Sequence, residues 1–221
     1  MPQIERMDCS TPQATALCSL KGARKIECAL ALPLAYALPA QGTLMISVAD
    51  IKKDLPDFPD DVIEDWLHYF ANEDCGWPPP EPPGDHRWGR LLGGRSLSWW
   101  KEVTWKKEMV KCDPDSLAPK TRAIAATMVT EIGNGTADAV TKRRYQQALL
   151  HILDHGAFFK PIVAMKTPTG LLVLDGNHRI GAFCGAQILP DAWFAKLNKK
   201  RPSLEQEAWI GRHSRGEKPI T

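Results

Sequence analysis

The 221-residue chain is 43% hydrophobic and 24% charged, an ordinary globular composition with apolar residues enough for one large domain or two small ones. Its net charge of +2 is unevenly spread: residues 1–97 carry 9 Lys and Arg against 14 Asp and Glu, and residues 98–221 carry 19 against 12, so only the second part suits phosphate-bearing partners. Six scattered cysteines without a C-x-x-C pair exclude a zinc ribbon and a dense disulfide framework, and suggest reduced thiols in a cytoplasmic protein.

In chain order, KGARKIECALALPLAYALPAQG joins basic residues to an apolar run of signal-peptide length. It starts far from Met1 and is broken by Pro33 and Pro39, so export is not expected, and the run is too short to span a bilayer. Residues 1–44 are expected to be a tail, or to lie upstream of a functional start such as Met45. MISVADI alternates like a short strand. DLPDFPDDVIEDWLHYFANE predicts a helix with Asp60 or Asp61 near its N-cap and Val62, Trp66, Leu67 and Phe70 at helical spacing, which makes Trp66 a core residue. GWPPPEPPGD, with five prolines in ten residues, reads as an extended connector; a partner-binding proline motif is the alternative. Residues 45–97 thus form an acidic Trp- and Pro-containing accessory segment, expected to be mostly helical and to pack on the domain that follows.

Trp88, Trp99, Trp100 and Trp105 fall within 18 residues, interleaved with Arg87, Arg90, Arg95, Lys101, Lys106 and Lys107. Such rings could stack nucleic-acid bases while the cations hold phosphates. An aromatic core with a solvated basic edge is the plainer expectation. VTWKKEMVKCD predicts a strand ending at Asp113-Pro114. LAPKTRAIAATMVTEI predicts a helix stopped by GNG, and DAVTKRRYQQALLHILDHG a second helix with Gly156 at its C′ position. KPIVAM and LLVL predict a hairpin turned by KTPTG, followed by a DGNHR turn, an IGAFCGA helix and a final strand at AWFAKL. Residues 199–221 read as a basic C-terminal tail.

The segment LLVLDGNHRIGAFCGAQ carries the chemistry. A strand that meets a helix across a glycine turn presents free backbone N–H groups and the positive end of a helix dipole. Gly176 permits a backbone path closed to other residues. Arg179 offers a bidentate fork for phosphate, His178 can move a proton near neutral pH, and Asn177 both donates and accepts. Asp175 could hold Arg179 or a metal-bound water. The plain alternative is a polar turn closed by a structural Asp175–Arg179 pair. Glu102 and Asp113 are further candidates for a carboxylate facing the phosphate.

Residues 145–197 resemble the ParB/sulfiredoxin superfamily, in which a helix ending in glycine and a Pro-Ile strand precede a hairpin and a G-x-[HR]-R box. The matching residues are Gly156, Lys160, Pro161 and Ile162, then Gly176, Asn177, His178, Arg179 and Ala182. The resemblance implies an α+β domain over 98–198, with a small mixed sheet and flanking helices. It implies a bound nucleotide, ATP or another NTP with Mg²⁺, held by Gly156, Lys160, Pro161, Gly176, Asn177, His178 and Arg179, with Asp175, His178 and Arg179 as the catalytic group. Asn177 stands where sulfiredoxins carry their active cysteine, so sulfinic-acid repair is not expected, and the helix-turn-helix of ParB has no counterpart. Cys184, two turns inside the helix, is expected in the core. The DG-x-HR form is also similar to the free-serine kinase branch, which makes a small-molecule kinase one rival. The size, the tryptophan-rich front and the single domain are similar to plasmid fertility-inhibition proteins of this fold. That likeness implies an ATPase with DNA-directed nuclease activity and a secretion or conjugation component as partner. A non-enzymatic DNA- or partner-binding module is the other rival.

Two further clusters have plain and functional readings. Lys142, Arg143 and Arg144 sit at a helix start, where positive charge opposes the dipole; they form either a solvated face or a DNA-phosphate contact. His151 and His155 have a possible metal-ligand spacing, but a helix end accounts for both, and no metal site built from a protein cluster is expected; magnesium enters through substrate phosphates, with Asp175 its candidate ligand.

Overall fold

The computed structural model describes residues 46–72 and 91–216, and the chain is an α+β protein. Trp88, the GWPPPEPPGD connector and the expected tail at 1–44 lie outside the described residues. Strands β1 (Val103–Lys111), β2 (Ile162–Thr167), β3 (Gly170–Asp175) and β4 (Glu205–His213) form one mixed sheet in the order β1-β4-β2-β3. β4 runs antiparallel to β1 and parallel to β2, and β2 and β3 form the expected antiparallel hairpin.

Two sequence expectations are corrected. MISVADI does not pair as a strand: Val48–Asp54 is helix α1, because Ser47 and Asp50 satisfy each other's backbone donors in a capping box. AWFAKL is likewise not the final strand. Asp191–Lys196 is helix α7, in which only Phe194 is buried, and the last described strand is β4, inside the stretch read as a basic tail. β4 escaped notice because its buried positions Gln206, Ala208, Ile210 and His213 mix polar and apolar residues.

Of the other helices, four form where expected, and the short Leu97–Trp100 was not foreseen. α2 covers 60–72 in three pieces: Asp60–Val62, a π-helical turn Ile63–His68, and Tyr69–Asn72. α3 is Leu97–Trp100, α4 Pro119–Asn134, α5 Ala139–His155 and α6 Asn177–Gln187. Left-handed Gly135 and Gly156 end α4 and α5.

Each face of the sheet carries its own apolar layer. On one face α4, α5 and α6 bury Met128, Tyr145, Ile152, Ile180 and Phe183 against Ile162, Ala164, Val173, Ala208 and Ile210. On the other, α1–α3 bury Ile51, Phe58, Val62, Trp66 and Trp100 against Val103, Val163, Met165 and Leu172. The accessory segment therefore supplies one side of the core. Trp66 is 1% exposed and Trp100 is 0% exposed, so both serve packing rather than base stacking. Phe58 meets Trp66, Trp100 and Trp105 at 6.4, 5.8 and 5.0 Å, and such ring pairs add about 0.5–1.5 kcal/mol beyond area burial. Half-buried Trp99 stacks on His213 at 4.4 Å. No helix among the described residues is long and apolar enough to cross a membrane.

Candidate functional site

The site is built where β3 hands over to α6. The β2–β3 register slips between Val163 and Ala164, so that Val173 faces Ala164 while Asp175 faces Val163. The extra residue is Leu174. Strict alternation would put Asp175 on the side of Val173; the bulge sets it opposite Val163, whose side chain lies in the layer packed by α1–α3. Gly176 follows at φ +98 and acts as the N-cap of α6 without any side-chain cap, leaving the first-turn N–H groups at the positive dipole end. A Cβ on Gly176 would stand 2.7 Å from Ile162 Cγ2 and 2.9 Å from Arg179 Nε and Nη2, so glycine is what lets the guanidinium lie against the turn. The DGNHR turn is thus shorter than expected: Asn177 to Arg179 already form the first turn of α6.

Arg179 is 6% exposed. Its Nη2 donates to Asp175 Oδ2 at 2.6 Å, and its Cζ lies 5.3 Å from the centre of the Phe159 ring. The structural pair named as the plain alternative is therefore present. It does not satisfy the cluster, because Arg179 Nε and Asn177 Oδ1 are buried without a partner, an uncompensated desolvation of about 1–3 kcal/mol each. Burial pushes the Asp175 carboxyl above the usual carboxylate range. The Arg179 charge and the Gly176 N–H pull it back, while the nearby Asp65 charge adds to the rise. Burial also lowers His178 below the usual histidine value, helped by the charges of Arg144 and Arg179 and opposed by Asp138. The lowered value disfavours the imidazolium form, so His178 enters the site as a neutral imidazole rather than a fixed cation.

The second segment, Gly156 to Pro161, is laced to the sheet by Gln206 of β4. Gln206 is 2% exposed; its Oε1 accepts from Phe158 N at 3.0 Å, and its Nε2 donates to Gly156 O at 3.1 Å. Phe159 is left 51% exposed beside Arg179. Lys160 Nζ donates to Asp65 Oδ1 of α2 at 2.8 Å, and Pro161 leads directly into β2.

The remaining candidates separate. Lys142 and Arg143 are exposed, whereas half-buried Arg144 turns inward and donates from Nη2 to the Tyr69 hydroxyl at 2.7 Å. Glu102 is engaged by Arg215 and Ser214, and Asp113 caps the 3₁₀ turn Pro114–Ser116 through Ser116 N. Of the three candidate carboxylates, only Asp175 belongs to the turn. The His151 and His155 rings lie 4.3 Å apart while Asp154 pairs with Lys199, and no group of three metal-ligating side chains occurs among the described residues. A cleft of ≈ 580 Å³ lined by Lys111, Lys166 and Arg212, and one of ≈ 320 Å³ lined by Ile124, Met128 and Thr141, include no residue of 175–179. Charge and backbone geometry mark the turn.

Three participants were not expected from sequence: Asp65, Tyr69 and Gln206. Asp65 and Tyr69 lie outside the apolar positions read in α2, and Gln206 lay in a supposed tail. None of the protein-family models, curated proteins or solved structures compared with this chain matches it.

Proposed function

We propose that the chain is a nucleotide-binding phosphohydrolase of ParB/sulfiredoxin type, acting on ATP or another NTP and directed to DNA. The observation that carries this reading is the uncapped start of α6, where Gly176 lets a buried, incompletely paired Arg179 lie beside free backbone N–H groups. Both features favour a multiply charged oxyanion. The half-exposed Phe159 ring beside them offers a flat apolar surface, which favours a nucleotide over bare phosphate. Arg179 would stabilise charge developing on the transferred phosphoryl group, and neutral His178 would take the proton of the attacking hydroxyl or water. Asp175 holds Arg179 in place. Magnesium would arrive on the triphosphate and supply charge neutralisation there, with the Asp175 carboxylate of the turn as its candidate protein ligand.

Exposed Lys142 and Arg143 are the residues proposed to meet DNA phosphates, with Arg144 assigned instead to the nucleotide side. The biological setting proposed with this chemistry is inhibition of conjugative or type IV secretion DNA transfer by a plasmid-borne protein in the cytoplasm, through a component of the secretion machinery. It is supported by the size, the tryptophan-rich front and the single domain.

The test is calorimetric ATP binding by the full chain against Arg179→Ala and Arg179→Lys, each checked for folding by circular dichroism. Loss of the fork is expected to weaken binding about tenfold or more in both variants, because a lysine cannot reproduce the bidentate geometry. Unchanged affinity in both ends the phosphate-cradle reading. DNA binding that does not weaken steeply with salt ends the DNA part.

A further inference from the structure

Sequence suggested only that the accessory segment packs on the domain that follows it, yet two of its side chains reach the cations around the turn. α2 widens from α- to π-helical geometry over Ile63–His68. Such widening sacrifices hydrogen-bond geometry and is found disproportionately at functional sites. The widened turn carries Asp65, whose side chain is 18% exposed and accepts from Lys160, itself 54% exposed. Four residues on, the Tyr69 hydroxyl accepts from Arg144, whose Cζ lies 5.7 Å from the Tyr69 ring centre.

The two cations belong to different sides of the site. Lys160 comes from the loop before β2, while Arg144 on α5 acts electrostatically on His178. In each contact the α2 residue fixes a long side chain that would otherwise lose rotamer freedom on binding a ligand. An ammonium has three N–H donors and a guanidinium five, so each cation can keep its α2 partner and still bond a phosphate oxygen. We infer that Asp65 and Tyr69 are positioning residues of the phosphate site, Asp65 acting through Lys160 and Tyr69 through Arg144, which makes α2 one wall of a composite site. For its ligand this inference rests on the nucleotide reading above; the placement of the two cations does not.

A carboxylate that merely competes with phosphate for Lys160 predicts the opposite sign, so the test is decisive. ATP with Mg²⁺ is titrated into full-length wild type, Asp65→Asn, Lys160→Ala and the double variant. Asp65→Asn is expected to weaken binding about tenfold when Lys160 is present and less than about twofold when it is not, with Asp65→Glu recovering part of the loss. Tighter binding in Asp65→Asn, or an equal loss without Lys160, overturns the Asp65 assignment. The second arm needs no ligand: the titration of His178 is followed by NMR in wild type and Tyr69→Phe. The groups acting on it are Arg144 and Asp138 from the α5 side and Arg179 on its own helix. Releasing Arg144 is expected to move the His178 midpoint upward, and an unmoved midpoint overturns the Tyr69 assignment. Should wild type fail to bind ATP, the nucleotide reading falls, while the His178 arm still decides whether α2 positions the site.

Discussion

Gly156 and Gly176 offer a controlled comparison, because both hold left-handed backbone, φ +72 and +98, in different surroundings. A Cβ on Gly156 meets nothing within 4 Å, whereas one on Gly176 meets Ile162 Cγ2 at 2.7 Å and Arg179 Nε and Nη2 at 2.9 Å. Alanine at either position bears the left-handed strain, about 1–2 kcal/mol. Only Gly176→Ala adds overpacking against a buried branched side chain and a paired guanidinium, about 1–3 kcal/mol more. The expected losses are therefore about 1–2 kcal/mol for Gly156→Ala and about 2–5 kcal/mol for Gly176→Ala. At about 2–4 °C per kcal/mol for a chain of this size, calorimetry separates the two easily. Because the clash pushes Arg179 away from Asp175, ATP affinity should fall further in Gly176→Ala than in Gly156→Ala. Equal stability losses would refute the close approach of Arg179 to the turn.

Other consequences follow from the same geometry. Asp175→Ala leaves the Arg179 guanidinium, whose side chain is 8% exposed, without its anion, and is expected to cost about 3 kcal/mol in urea unfolding. The Asp175→Ala/Arg179→Met double variant should regain most of that, and a single-variant loss under about 1 kcal/mol would show that the pair is effectively solvated. Burial pushes the Cys112 thiol up to about 12 and the Cys184 thiol up to about 11, so both should resist alkylation at pH 8 in the native protein and react once unfolded, as peptide mass mapping can show. His178 is held below its ordinary value, so between its native midpoint and about pH 6.5 the unfolded chain binds a proton that the native chain refuses. Its contribution to stability is thus complete above about pH 6.5 and is lost as the pH falls through that window; His178→Gln should flatten this part of the stability profile.

Much of the architecture was visible where local chemistry and tertiary need agreed. The ends of α4 and α5 were set by Gly135 and Gly156, and the β2–β3 hairpin by the apolar runs on either side of KTPTG. Where they competed, the weaker signal was hidden. In MISVADI a reciprocal Ser47–Asp50 cap outweighed a two-residue alternation. In AWFAKL the apolar residues never alternated with polar ones, and just one of them, Phe194, found a buried place. Gln206 was invisible because its role is to bond the backbone of a loop fifty residues away in sequence. The turn at 175–179 could be read as a unit because its members are adjacent in the chain. Asp65 and Tyr69 could not, since only the fold brings α2 to Lys160 and Arg144.

The place of β4 has a consequence for synthesis. The strand that joins β1 to the β2–β3 hairpin is made after the other three, pairing His213 with Val103 across more than a hundred residues. Until it leaves the ribosome, β1 and β2 each present an unpaired edge, and the Gly156–Lys160 loop lacks Gln206 to brace it. Nascent chains stalled before Glu205 should therefore hold neither a finished sheet nor a formed ligand loop. Such chains expose unpaired strand edges, which makes them prone to association, because so much non-local pairing is deferred to β4.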